Sequence, residues 1–192
     1  ILCAAGLFVF AHPSVVAIIE TGRFGAADSE RVAGLLKIIA VAVPAWIVQQ
    51  IAVRAFYARG QMWLPMLLGT GIALAFIPLY VALGTDAEGL ATAGVIGMAT
   101  SALATLALAR VRHGGPQLAP LVSSAIRSLL IAAVAAVVGA WVGARFTGAL
   151  ATLALGGAVF AVVCMVGVWL VGDAPLREAL SRAVKRVARL SG

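Results

Sequence analysis

The sequence predicts an all-α membrane protein: a polytopic bundle of six transmembrane helices followed by a C-terminal amphipathic helix. Of its 192 residues 63% are hydrophobic and only 11% are charged, with a mean hydropathy of +1.10, which is far from the composition of a soluble domain. The apolar residues are gathered into runs of about 20, the length that crosses the hydrocarbon core of a bilayer as a helix. These runs lack the period-2 alternation and the shorter length of β-barrel strands, so helices are favoured.

Six runs reach this length, and only short loops separate them. They are residues 1–19, 32–53, 64–83, 89–109, 121–144 and 146–171. The second run has Lys37 as its one charge, and the fifth has Arg127 near its start. Pro44 lies in the middle of the second run and Pro78 near the end of the third. Because proline removes a backbone hydrogen bond, we expect a kink in each of these helices.

Residues 173–192 are predicted to form a basic amphipathic helix, because apolar and basic positions recur there with helical spacing. Asp173 and Pro175 favour a helix start at its beginning. Such a helix should bind the anionic lipids of a membrane surface, each basic residue contributing about 1 kcal/mol. Recruitment of a protein partner by this segment is the alternative.

The basic residues divide unevenly between the two sides of the predicted membrane domain. Ten of the 14 fall on one side: Arg54, Arg59, Arg110, Arg112, Arg127, Arg177, Arg182, Lys185, Arg186 and Arg189. The other four are Arg23, Arg31, Lys37 and Arg145. Since the richer side of a membrane protein is normally cytoplasmic, we expect a cytoplasmic C-terminus. The net charge of +7 is explained in this way and indicates no nucleic-acid partner.

The segment RAFYARGQMWLP, residues 54–65, is then a cytoplasmic hairpin between the second and third helices. Its arginines hold the hairpin on that side, and its aromatic rings suit the headgroup level of the bilayer. Pro65 begins the next helix, where a missing N–H is tolerated.

Few residues are candidates for chemistry. His12 and His113 are far apart, and the chain has no metal-hydrolase, serine-hydrolase or phosphate-loop motif, so we expect no enzyme, no catalytic residue and no cofactor. Cys3 and Cys164 lie inside apolar runs without a second ligand at metal-binding spacing, so we interpret both as core residues, with no disulfide and no metal site. Lys37 either faces a polar cavity or extends back to the membrane surface, and it is the one candidate for substrate contact.

Small and polar residues suggest close packing between helices. Small residues recur at helix-contact spacing in residues 89–102 and 139–143. The polar residues inside the runs either line a polar path or bond across helices: Gln49, Gln50, Thr92, Thr100 and Ser101.

Two short motifs carry a resemblance to a known family. Their residues are Gly22, Arg23, Phe24, Phe56, Tyr57, Ala58, Arg59, Gly60 and Pro65. Together with the helix around Pro13 and a capped helix start near Asp28, their order resembles the MurJ (MviN) family of lipid II flippases. This family is related to the exporters of the MATE type and to polysaccharide flippases. Where family members usually have polar residues after the second motif, this chain has Gln61, Met62 and Leu64.

The resemblance implies a fourteen-helix transporter with two six-helix lobes and two additional helices, of which this chain covers helices nine to fourteen. Residues 1–110 would then be four helices of the second lobe, residues 111–172 the additional pair and residues 173–192 the cytoplasmic tail. The N-terminal lobe would precede Ile1 and would be a partner in the same protein. No substrate-binding residue is carried over, because the cavity arginines of the family lie mostly in the part that this chain lacks.

The function that the resemblance implies is movement of a lipid-linked peptidoglycan precursor across the bacterial cytoplasmic membrane by alternating access. The diphosphate and sugar head would enter a central cavity, and the additional pair would form a groove for the lipid tail. A related polysaccharide-lipid flippase, a MATE-like exporter and a membrane scaffold without transport activity are the alternatives.

Overall fold

A computed structural model of the chain describes residues 1–20, 25–114, 118–172 and 178. Within these ranges the chain is helical and contains no strand, which confirms the predicted all-α polytopic bundle. The helices are α1 (Leu2–Val9), α2 (Ala11–Ile19), α3 (Ala26–Tyr57), α4 (Trp63–Ala75), α5 (Ile77–Leu83), α6 (Ala87–His113), α7 (Leu118–Gly143), α8 (Ala149–Ala151) and α9 (Gly157–Val171). A π-helical turn, Thr152–Gly156, joins α8 to α9. By length and composition five spans could cross a membrane in the described part of the chain, and six if α1 and α2 form one bent span.

The helices group into two compact units. Of the described residues, those of Ile1–Ile18 and from Leu118 onward form the terminal unit, and those of Ile19–Gln117 form the central unit. In the central unit α6 packs against α3, α4 and α5, and in the terminal unit α7 packs against α1, α9 and the π turn. The division into lobe helices and an additional pair at residue 110 stays a prediction.

The first span differs from the predicted single helix over residues 1–19. It consists of two helices, α1 and α2, bent by 64° about Phe10. Pro13 is the physical reason, since it has no N–H to donate to the carbonyl of Val9 and its ring clashes with that carbonyl. Helix α1 therefore ends at Val9.

The two predicted proline kinks have different outcomes. The third span is interrupted at Phe76, between α4 and α5, where Pro78 leaves the carbonyl of Leu74 without its helical donor. In contrast, α3 continues through Pro44 as one helix of 32 residues.

The ends of two spans differ from the ends of the predicted apolar runs, and the flanking residues explain why. Helix α6 begins after Asp86, whose carboxylate accepts a hydrogen bond from the Gly89 N–H at 2.8 Å. It ends at Gly114, which has a left-handed φ of +63°. The last span starts at Ala149, after Gly148 with φ +125°, and so begins three residues later than the predicted 146–171.

Two predicted features lie outside the described residues. These are the motif residues Gly22, Arg23 and Phe24 and the basic segment 173–192, of which the structure describes Glu178 alone.

The core of the central unit is the contact between α3 and α6. Helix α6 presents a stripe in which every fourth residue is small: Gly89, Ala93, Gly97, Ser101, Thr105 and Ala109. Ala33, Ala40 and Ala52 are the buried alanines on α3. Such residues let helix backbones approach closely, which is how helices associate in a membrane without a hydrophobic driving force.

Candidate functional site

The central unit contains a direct polar contact between two spans. Gln49 of α3 donates a hydrogen bond through Nε2 to Oγ of Ser101 on α6, at 2.6 Å. Ser101 is buried, and its backbone carbonyl accepts from the hydroxyl of the buried Thr105 at 2.7 Å. Thr92 and Thr100, by contrast, donate to carbonyls of their own helix. Gln49 and Ser101 therefore join the two helices, as one of the two interpretations of the sequence had it.

Helices α3 and α6 run parallel. Gly34 near the start of α3 lies beside Glu88 near the start of α6, because a Cβ added to Gly34 would be 3.7 Å from Oε1 of Glu88. Near the other end, the ring of Phe56 meets that of His113. The first residues of both helices are therefore at one end of the central unit and the last residues at the other.

Lys37 lies on the same side of α3 as Ala33 and Ala40, at helical spacings of four and three residues. Those two alanines are only 2% and 1% exposed, whereas Lys37 is half-buried. Its Cα is about one helical turn beyond that of Gly34, the residue that lies beside Glu88 of α6. Lys37 thus leaves α3 from the face that packs against α6.

A glycine in the hairpin that follows α3 terminates this helix. Gly60 has φ +71°, a left-handed conformation that glycine adopts without strain. The Gln61 N–H donates to the Phe56 carbonyl and the Gly60 N–H to the Tyr57 carbonyl, both at 3.0 Å. These two bonds define a Schellman motif, in which the last free carbonyls of the helix find partners. The left-handed backbone conformation that the Schellman motif requires thus explains the glycine of the FYARG motif.

Three side chains hold this hairpin to α6, and we call Phe56, Gln61 and His113 the hairpin cluster. Phe56 is 0% exposed, and its ring centroid lies 5.2 Å from that of His113 at an interplanar angle of 60°. Nε2 of His113 donates to Oε1 of Gln61 at 3.0 Å. The hairpin is therefore fixed by an aromatic contact, a side-chain hydrogen bond and the Schellman motif together.

Sequence reasoning missed His113 as part of this cluster. It lies 52 residues from Gln61 in the chain, and only the parallel pairing of α3 and α6 brings the two together. A usable signal was present, since the predicted topology places the end of the fourth span on the same side as the hairpin.

The other motif residues fill simpler roles. Tyr57 and Arg59 are exposed, as is Trp63 at the start of α4. Pro65 is buried in the first turn of α4, two residues after the helix begins. Exposed rings beside a basic hairpin suit the headgroup level of a bilayer.

The two ends of the central unit carry opposite charge. The hairpin end has four exposed arginines: Arg54, Arg59, Arg110 and Arg112. The other end, where both helices start, has four exposed carboxylates together with Arg31: Asp28, Glu30, Asp86 and Glu88. Acidic residues near helix starts and basic residues near helix ends also complement the dipoles of the two parallel helices.

The cysteines and histidines form no recognised site. Cys164 is buried, as predicted, but Cys3 is exposed, so the prediction that both are core residues is wrong for Cys3. Cys3 lies in the first turn of α1. Within residues 1–20, 25–114, 118–172 and 178, no group of three or more His, Cys, Asp and Glu side chains could hold a metal ion.

Comparison with known proteins gives one positive finding. The sequence model of the family described as MurJ, "Lipid II flippase MurJ", matches residues 1–159. No curated protein and no solved structure matches the chain.

Proposed function

Because this chain belongs to the MurJ lipid II flippase family, we propose that it is the C-terminal part of a transporter moving a lipid-linked peptidoglycan precursor from the cytoplasmic to the outer leaflet. The observation that carries the proposal is the family match over residues 1–159, which includes every span up to the start of α9. The apolar spans and the family together make it a multi-pass protein of the bacterial inner membrane. The family is one of transporters, and the proposal involves no covalent chemistry.

Alternating access is the mechanism that we propose for this movement. It needs parts that change position without changing shape, and α3 with α6 has the properties of such a part. The two helices pack through small residues, share the Gln49–Ser101 hydrogen bond and are tied at one end by the hairpin cluster. In the proposal the N-terminal lobe of the same protein supplies the remaining wall of the cavity, so this chain alone would not transport.

The charge of the central unit supports an orientation with the hairpin and the C-terminus in the cytoplasm. Four arginines at the hairpin end and four carboxylates at the opposite end agree in direction with the uneven distribution of basic residues along the sequence. In this orientation residues 173–192 would bind the anionic inner leaflet. A thiol-reactive, membrane-impermeant label on Ala58→Cys should react only from the cytoplasmic side, whereas reaction from outside would reverse the orientation.

Lys37 is the residue that we propose contacts the substrate diphosphate. Its support is a position on the α6-facing side of α3 rather than among the exposed apolar residues such as Ile39 and Val41. A hydrogen bond to a charged group contributes about 1.5–3 kcal/mol, so Lys37→Met should slow flipping by about tenfold or more at an equal amount of folded protein. Lys37→Arg, which keeps the charge, is the matched control and should retain most of the activity. Equal flipping by Lys37→Met and the wild type would show that Lys37 only extends to the membrane surface.

The proposed function is tested by expressing the full-length parent in cells depleted of their lipid II flippase. Restored growth, with lipid II reaching the outer leaflet, is the expected result. Failure to rescue by a parent that folds in the membrane would favour the related polysaccharide-lipid flippase or exporter. A scaffold makes a different prediction: deleting residues 173–192 would abolish function, and Lys37→Met or Arg59→Gln would leave it intact.

A further inference from the structure

The last two spans meet in the terminal unit at a contact between backbones. A Cβ added to Gly139 of α7 would lie 3.0 Å from the carbonyl oxygen of Gly156 and 3.0 Å from Cβ of Phe160. A Cβ added to Gly156 would lie 2.9 Å from the carbonyl oxygen of Gly139. Gly156 ends the π turn, so the widened turn and α7 touch with no side chain between them. We call this contact the glycine crossing.

Phe10, the residue at the bend of the first span, closes one side of the glycine crossing. Its Cζ lies 3.3 Å from the Cβ position of Gly139, and its Cε1 lies 2.9 Å from that of Gly156. The ring also meets Phe160 edge to face, with centroids 6.0 Å apart and an interplanar angle of 84°. Phe10 is 6% exposed. The joint between α1 and α2 is therefore held by residues of α7, the π turn and α9.

The contact between α1 and α9 extends away from this joint in antiparallel register. A Cβ on Gly6 would lie 3.0 Å from Cε1 of Phe160, one turn of α1 from Phe10. A further turn along each helix brings Cys3 opposite Cys164 by helical spacing. The contact thus continues from Phe10 to the first turn of α1.

We propose that α1, α7, the π turn and α9 move as one body during transport, with Phe10 as the fixed joint at which the first span bends. The inference rests on the proposed function, since it concerns a transport cycle. Its physical basis is that packed interfaces without voids change between discrete arrangements rather than deform continuously, and a backbone contact between glycines leaves no side chain whose rotation could loosen it. The two last spans would then carry the start of the first span with them, although the family resemblance assigns the first span to the lobe.

The native pair Cys3 and Cys164 allows a direct test in the full-length parent, with any cysteines upstream of this chain replaced by serine. Copper phenanthroline with dioxygen oxidises two thiols that meet to a disulfide, because it transfers two electrons and two protons from the pair to dioxygen, which is reduced to hydrogen peroxide. Dithiothreitol reverses the bond. Lipid II flipping is measured in proteoliposomes before oxidation, after oxidation and after reduction. Cys164→Ser, treated identically, controls for effects of the oxidant.

The expected result is that the cross-link forms and that the cross-linked protein flips lipid II within about twofold of the reduced protein. Loss of flipping that dithiothreitol restores, with Cys164→Ser unaffected, would overturn the proposal, and so would failure of the cross-link to form.

A second measurement does not depend on lipid II as the substrate. Spin labels at the exposed positions Leu7 and Met165, in a parent without other cysteines, should give one narrow distance distribution in detergent and in bilayers, with and without lipid II. A second population would overturn the proposal. If this distribution is single and the cross-link forms, but no lipid II is flipped in either state, the proposed function has failed and the single body stands.

Discussion

Replacing Gly60 with alanine measures what the backbone of the hairpin demands, separately from any steric clash. No atom lies within 4 Å of the position that a Cβ on Gly60 would occupy, so the change adds no overlap. The φ of +71° costs a residue with a Cβ about 1–2 kcal/mol. Alanine recovers about 0.4–1 kcal/mol by restricting the unfolded chain. We therefore expect Gly60→Ala to lower the free energy of unfolding by roughly 1 kcal/mol, the difference between those ranges.

Gly69 is the matched control, since a Cβ there also meets no atom within 4 Å but the residue lies inside α4. Gly69→Ala should raise the free energy of unfolding by about 0.5–1 kcal/mol, as alanine favours helix. Both variants of the protein are purified and unfolded reversibly with increasing denaturing detergent, with helix content followed by circular dichroism. Equal stability of Gly60→Ala and the wild type, or a destabilised Gly69→Ala, would refute the reasoning. That reasoning is that φ alone decides whether alanine raises or lowers the free energy of unfolding at these two positions.

Two further predictions concern contacts between spans. In a double-mutant cycle measured by the same unfolding assay, Gln49→Leu and Ser101→Ala should show a coupling free energy of about 0.6 kcal/mol. This is the usual value of a hydrogen bond between membrane helices. Additive effects of the two substitutions would show that the bond contributes nothing to stability. Gly139→Ala should destabilise the protein by about 1–3 kcal/mol, because the added Cβ would lie 3.0 Å from the carbonyl oxygen of Gly156. Its control is Gly157→Ala, which should be neutral or stabilising because a Cβ at Gly157 meets no atom within 4 Å. Equal stability of these two variants would contradict the close contact of α7 with the π turn.

The helices themselves could be predicted from the sequence because a bilayer imposes a simple rule. Each span needs about 20 apolar residues, and such runs are visible without knowledge of their neighbours. This rule predicts the ends of the helices less well, since the residues that cap the helices lie outside the apolar runs. Asp86 and Gly114 extend α6 in this way, so the helix is longer at both ends than the predicted 89–109.

The bend of the first span shows what local reasoning lacks. Pro13 was visible in the sequence, and it explains why α1 stops at Val9. Phe10 at that bend contacts Gly139 and Gly156, which lie 129 and 146 residues further along the chain, and no local pattern predicts that contact. The π turn likewise had no signal, because an apolar run gives the same periodicity on either side of one widened turn.

The sequence predicted only the part of the hairpin cluster that lies in the family motif. The motif around Phe56 and Gly60 was singled out through a family resemblance, and the structure supplies the reasons for its residues: burial for Phe56 and a positive φ for Gly60. The partner across the unit, His113, required the pairing of α3 with α6. A single sequence does not contain that pairing, because small residues on two helices permit many registers.

The opposite charges at the ends of the central unit also restrict how it can move in an energised membrane. Moving one elementary charge across the membrane potential is worth about 2.3 kcal/mol per 100 mV, and drawing a charged side chain into hydrocarbon costs several kcal/mol more. With arginines at one end and carboxylates at the other, a displacement along the membrane normal drives one charged end into the lipid, whichever direction it takes. A tilt of the unit about an axis that lies in the membrane plane leaves both charged ends in water. In the orientation proposed above, the membrane potential would therefore oppose sliding of the central unit in either direction and would permit it to rock.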